Sequence, residues 1–184
     1  MATYTFDIET FCPNEEDVID YRWNAKTKSL DKKYSPFPLK EQIICISLFD
    51  GEKYLTFSGK NEKIILESFW VCINEFDTLI GFNSESYDLR YLMIRSLVNN
   101  IKVKNQRFIK HIDLRTIFNG DDKFAKGTLR DFSKALGIEA TTENGTTMRD
   151  YYLKEDFETI EKHNKEDVKI TWEIYQKAKS INLL

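Results

Sequence analysis

The chain has 184 residues, 41% hydrophobic and 31% charged, with seven Gly, three Pro and a net charge of −3. That size and balance suit one globular domain with a full core, spanning 1–184, and exclude a low-complexity or linker-rich chain. No apolar run approaches the ~20 residues of a membrane span. No basic-then-apolar leader opens the sequence, and the mild acidity argues against a polyanionic partner unless metal ions take up part of the negative charge.

In chain order, residues 3–9 alternate. Tyr4, Phe6 and Ile8 fall on one side and Thr5, Asp7 and Glu9 on the other, which predicts a strand. Residues 11–41 are polar, with PNEED, NAKTKSLDKK and SPFP, and predict a long loop excursion. Gln42–Gly51 and Glu52–Gly59 predict a hairpin turned at Asp50-Gly51. Ile64, Ile65, Phe69, Cys72 and Ile73 recur at helical spacing. A buried strand, DTLIGFN, an amphipathic helix, DLRYLMIRSLVNN, and a strand within FIKHIDLRTI follow. TLRDFSKALGI predicts a helix stopping at Gly137. Residues 156–180 predict a long terminal helix or two shorter ones. This order implies an α/β chain with a mixed five-stranded sheet, helices on both faces and a ribonuclease H-like architecture. Cys12, Cys45 and Cys72 form neither a CxxC pair nor a disulfide framework, and read as reduced thiols of a cytoplasmic protein.

Asp7 and Glu9 share a strand face, and two like charges held together call for a cation. Asp88 opens a helix just past a strand end, where it also reads as a favourable first-turn charge. Asn83 sits at that strand exit. His163 and Asp167 lie one helical turn apart on one face, a place where a solvated, charge-rich turn is equally ordinary.

Together these pieces resemble the DEDD (DnaQ-like) superfamily of 3′–5′ exonucleases, above all the exonuclease domain of family B DNA polymerases and its stand-alone relatives. The matching motifs are FDIET, NSESYD (Asn83 to Asp88) and HNKED (His163 to Asp167), in order, and the likeness runs from residue 4 to about residue 175. The family's His subgroup places its His five residues before the last Asp, where this chain has Lys162. Here His163 occupies the four-residue spacing of the Tyr subgroup.

The resemblance implies hydrolysis of a phosphodiester with two divalent ions, Mg²⁺ or Mn²⁺, held by Asp7, Glu9, Asp88 and Asp167. It implies His163 as general base, since an imidazole with an ordinary pKa of ~6.5 suits that role. Thr10 would meet the terminal nucleotide, Phe11 would stack on or wedge a base or equally serve the core, and Asn83 would hold the substrate or serve its turn. His111 and Asp113 read as structural, Asp113 as a helix cap. Lys102, Lys104, Arg107 and Lys110, and Lys123, Lys126, Arg130 and Lys134, form two basic stretches able to track phosphates or to stay solvated. The implied activity is a 3′–5′ exonuclease on single-stranded DNA. The alternatives are an exoribonuclease with the same site and a catalytically silent nucleic-acid-binding domain.

Overall fold

The structure is a computed structural model describing residues 1–74, 76–104, 109–120, 127–141 and 148–184. Arg107, Lys123 and Lys126 lie outside the described residues. Five strands form one sheet: β1 (Thr3–Phe11), β4 (Gln42–Phe49), β5 (Tyr54–Ser58), β6 (Thr78–Gly81) and β7 (Lys110–Asp113). Their order is β5-β4-β1-β6-β7. β1 pairs antiparallel with β4 and parallel with β6, and β6 pairs parallel with β7. The expected mixed five-stranded sheet is therefore present, with β1 at its centre.

Both sheet faces are covered. Phe6, Ile8, Ile46 and Leu48 meet Ile65, Leu66 and Phe69 of α1 (Glu62–Cys72) and Tyr91 and Leu92 of α2 (Asp88–Val98). On the other side runs α6 (Phe157–Ser180), a single 24-residue helix. Its Ile160 packs on Ile44 and Cys45, and its Ile170 and Ile174 pack on Ile80. The Thr5 hydroxyl donates to the Val168 carbonyl of α6 at 2.8 Å, pinning the helix across β1. The β4–β5 turn tucks beneath the same helix. Gly51 has φ +100°, and a Cβ there would lie 2.6 Å from the Trp172 ring. Only glycine meets both demands.

Three further helices, α3 (Leu114–Asn119), α4 (Leu129–Ala135) and α5 (Met148–Leu153), complete the helical layer. Asp113 caps α3 by accepting from the Arg115 and Thr116 amides. Thr128 and Asp131 form a reciprocal capping box on α4.

The excursion at 11–41 is not simply a loop. It holds a short 3-10 turn at Glu15–Val18 and a separate two-stranded ribbon, β2 (Ile19–Asn24) and β3 (Ser29–Tyr34). Neither ribbon face is buried against the core, so no apolar alternation advertised it. Local chemistry supports it instead: the Asn24 side-chain oxygen accepts from the Lys26 and Thr27 amides, and its nitrogen donates to Asp31.

Candidate active site

The site forms where β1 meets α6. Asp7 and Glu9 point from the same face of β1, and Asp167 descends from α6. One carboxylate oxygen from each lies within 4.8 Å of the other two. Next to Glu9 the β1–β4 register shifts: Glu9 faces Cys45 but Thr10 faces Ile43, leaving Ile44 as the extra residue of a bulge. A bulge bends its own strand and raises the local twist, and this one lies on β4 directly opposite the end of the acid-bearing stretch of β1.

Burial and mutual repulsion shape the electrostatics. The Asp7 carboxyl stands well above the usual carboxylate range. Desolvation leads, the charges of Asp88, Asp167 and Glu9 add to it, and a hydrogen bond from Asn164 opposes it. Glu9 is raised by desolvation, then by Asp167 and Asp88. Asp167 is pushed up to about 6 by burial, against the pull of Arg130. Asp88 is pushed up to about 7, again chiefly by burial.

Asp88 plays a different geometric part from the other three. Its Oδ1 accepts from the Ile8 amide at 3.0 Å, between the two β1 acids. It thus ties the first turn of α2 to β1, behind the carboxylate cluster.

Two further neighbours, Asn164 and Arg130, organise the cluster. Asn164 has no exposed surface, and its Nδ2 donates to Asp7 Oδ2 at 2.7 Å. Arg130, read as part of a basic stretch, instead forks between two acids of α6. It reaches Glu166 Oε2 at 2.7 Å and Asp167 Oδ1 at 2.7 Å. The signal for Asn164 was its place one turn before Asp167; for Arg130, nothing local marked a partner so far along the chain.

His163 is half-buried on α6, outside the three-carboxylate cluster. Burial and the nearby Arg130 charge lower its pKa, with Glu166 opposing. Among the described residues its ring has no hydrogen-bond partner.

The expected substrate contacts are placed as follows. The Thr10 hydroxyl donates to Glu41 and lies 3.0 Å from the Tyr87 hydroxyl. Glu41 is itself buried and also accepts from the hydroxyls of Tyr34 and Tyr91 and from the Phe37 amide. Phe11 is buried, its ring 4.2 Å from that of Tyr152 and beneath the Arg149 guanidinium. Asn83 adopts φ +63°, its amide donates to Asp113, and its side chain accepts from Arg115. His111 meets Ser84 at 2.9 Å. Lys102, Lys104 and Lys110 line no part of the acid cluster, and Lys134 sits in the last turn of α4.

Three crowded carboxylates are a donor set for hard divalent cations. Arg130 answers one of them, Asp167, and no cation meets Asp7 or Glu9 among the described residues, so burial and mutual repulsion hold both carboxyls well above the usual range. The residues therefore fit the implied Mg²⁺ or Mn²⁺.

A mixed sheet in this order, with acids from its central strand meeting an acid from the covering helix, defines the ribonuclease H-like class. A family model described as RNase_H superfamily matches residues 37–179. The chain belongs to that superfamily. It is also similar to the DNA polymerase of Methanocaldococcus jannaschii, 26% identical over 170 residues, covering 76% of this chain and 10% of the relative. In shape it resembles the family B DNA polymerase of Pyrobaculum calidifontis, with a TM-score of 0.73 and 17% identity, over 98% of this chain and 25% of that one. The chain thus spans about a tenth and a quarter of these two proteins.

Proposed function

We propose that the chain is a metal-dependent 3′–5′ exonuclease acting on single-stranded DNA. The observation that carries this reading is the cluster of Asp7, Glu9 and Asp167, with one oxygen from each within 4.8 Å, in a chain of the RNase_H superfamily similar to DNA polymerases.

Asp7, Glu9 and Asp167 would hold the divalent ions, with Asp88 directly or through water. Bound there, the ions would neutralise the phosphodiester and stabilise charge on the attacking and leaving oxygens. Asn164 fixes the rotamer of Asp7 through its hydrogen bond. Asp88 holds the Ile8 amide and so the aim of both β1 acids. His163, its pKa lowered from 6.5, is neutral at pH 7 and accepts the proton of the attacking water at an imidazole nitrogen. Thr10, next to Glu9 in β1, would meet the terminal nucleotide.

The test is a 5′-labelled single-stranded DNA, and the matching RNA, incubated with Mg²⁺, with Mn²⁺ and with EDTA. Asp7→Asn serves as control. A ladder shortening from the 3′ end, requiring metal and Asp7, supports the reading. A faster RNA ladder would make it an exoribonuclease, and intact strands under both metals would overturn it.

A further inference from the structure

The β2–β3 ribbon stands outside the main sheet and is exposed along nearly its whole length. Directly opposed residues of an antiparallel pair share a face. The register pairs Ile19 with Tyr34, Tyr21 with Lys32 and Trp23 with Leu30. Tyr21, Trp23, Leu30 and Tyr34 therefore stand together on one side. Trp23 is 65% exposed, Leu30 63% and Tyr21 52%. Contiguous exposed aromatics of this kind mark a contact surface.

Two observations say what covers it. The first is charge: residues 19–34 carry five basic side chains against two acidic ones, in a chain whose net charge is −3. Lys32 lies 3.5 Å from Glu16, which also accepts from the Tyr21 hydroxyl, and Arg22 lies 3.9 Å from Asp20. Lys26 and Lys28, at the tip, have no acidic partner within 4.0 Å among the described residues. The second is continuity. Tyr34, at the ribbon's base and on its aromatic side, hydrogen-bonds Glu41 and lies 3.4 Å from the Tyr87 hydroxyl. The Tyr87 hydroxyl in turn lies 3.0 Å from that of Thr10, the residue after Glu9 in β1, so the aromatic side runs on to the strand that carries the acids. The superfamily match begins at residue 37, beyond this ribbon.

We infer that this face is a platform for the single strand that enters the site. Bases stack on Tyr21 and Trp23, and phosphates follow the tip lysines. Stacking on aromatics holds single strands without regard to sequence, and unpaired lysines supply the backbone attraction. The inference rests on the exonuclease reading and adds to it the surface that grips the substrate away from the scissile bond.

The test uses the full chain carrying Asp7→Asn, so that the strand survives, in Mg²⁺. The probe is a fluorescein-labelled oligothymidylate about twelve nucleotides long. Binding should quench tryptophan emission in part, because of the three tryptophans Trp23 is exposed, Trp70 is buried and Trp172 is half-buried against the β4–β5 turn. Replacing Tyr21 and Trp23 together by Ala should weaken binding roughly 10- to 100-fold. Lys26→Glu with Lys28→Glu should weaken it and flatten its salt dependence by about one to two units of slope. Unchanged melting temperatures would show that these exposed substitutions leave the fold intact. Equal affinity in all variants would overturn the inference and leave the face to a protein partner. A chain without these substitutions that binds and quenches, yet leaves DNA intact in Mn²⁺, would overturn the exonuclease reading and leave the platform standing.

Discussion

Asn164 and Asp7 stand 157 positions apart, and the Asn164 amide donates to the Asp7 carboxylate at 2.7 Å. The amide orientation is set from both ends, since Asn164 Oδ1 accepts from the Cys45 thiol at 3.6 Å. Asn164 is therefore a positioning residue for Asp7. Removing a group that orients a metal-binding carboxylate typically costs about 10- to 100-fold in metal affinity. Asn164→Ala should weaken Mn²⁺ binding by that amount in isothermal titration calorimetry, with a smaller change in melting temperature. Unaltered Mn²⁺ affinity would reduce Asn164 to a packing residue.

Asp7→Asn tests the cluster directly. The substitution keeps an oxygen for Asn164 while removing a charge that Glu9, Asp88 and Asp167 all oppose. Cleavage should fall below detection. The melting temperature in EDTA should stay level or rise, because repulsion within the cluster is relieved. Near-wild-type cleavage would place the metal elsewhere.

Stability of the metal-free protein should run against the usual pH trend. Folded Asp88 titrates at about 7 and folded Asp167 at about 6, and Asp7 and Glu9 are raised as well. Unfolded carboxyls titrate near ~4. Between those values the folded state binds more protons, so these groups' contribution is full at low pH and is lost as pH rises from about 4 through about 7. In EDTA the melting temperature at pH 5 should exceed that at pH 7.5 by roughly 5 °C, given ~2–4 °C per kcal/mol for a chain this size. Saturating Mn²⁺ at pH 7.5 should remove the deficit. A flat profile in EDTA would mean that burial and mutual repulsion do not raise these four carboxyls.

His163→Ala should lower the cleavage rate by about 10²–10⁴-fold, the range of a lost general base, while leaving Mn²⁺ affinity in place. Because burial and Arg130 lower its pKa, the acid limb of the wild-type rate profile should bend below pH 6.5 and vanish in the variant. A limb that persists would assign it to the carboxylates instead.

The sheet and its acids were legible in the sequence because each is written locally. Alternation in residues 3–9 marks β1 and places Asp7 and Glu9 on one face. The Asn83–Asp88 run marks the β6–α2 junction, and the helical stripe of Val168, Ile170 and Ile174 marks the buried side of α6. What escaped depends on distant partners. Glu41 reads as one acid in a polar stretch, yet it gathers Thr10, Tyr34 and Tyr91. Arg130 reads as one cation among lysines until folding brings it to Asp167. The β2–β3 ribbon escaped because it buries no face, leaving periodicity nothing to record.

Arg130 is the last test. Its guanidinium meets Asp167 and Glu166 at 2.7 Å each, with all three side chains largely shielded from water. A fork of this kind is geometrically strong, and removing the cation takes the countercharge from Asp167 beside Asp7 and Glu9, while Glu166 keeps its hydrogen bonds from Thr141. Arg130→Met should therefore destabilise the metal-free protein by about 2–4 kcal/mol. Mn²⁺ supplies a replacement charge at Asp167, so the loss should shrink in saturating metal. Melting curves of wild type and variant, each in EDTA and in Mn²⁺, read this as a coupling between the two cations. Equal losses in both conditions would mean that Arg130 braces α4 against α6 without answering to the metal site.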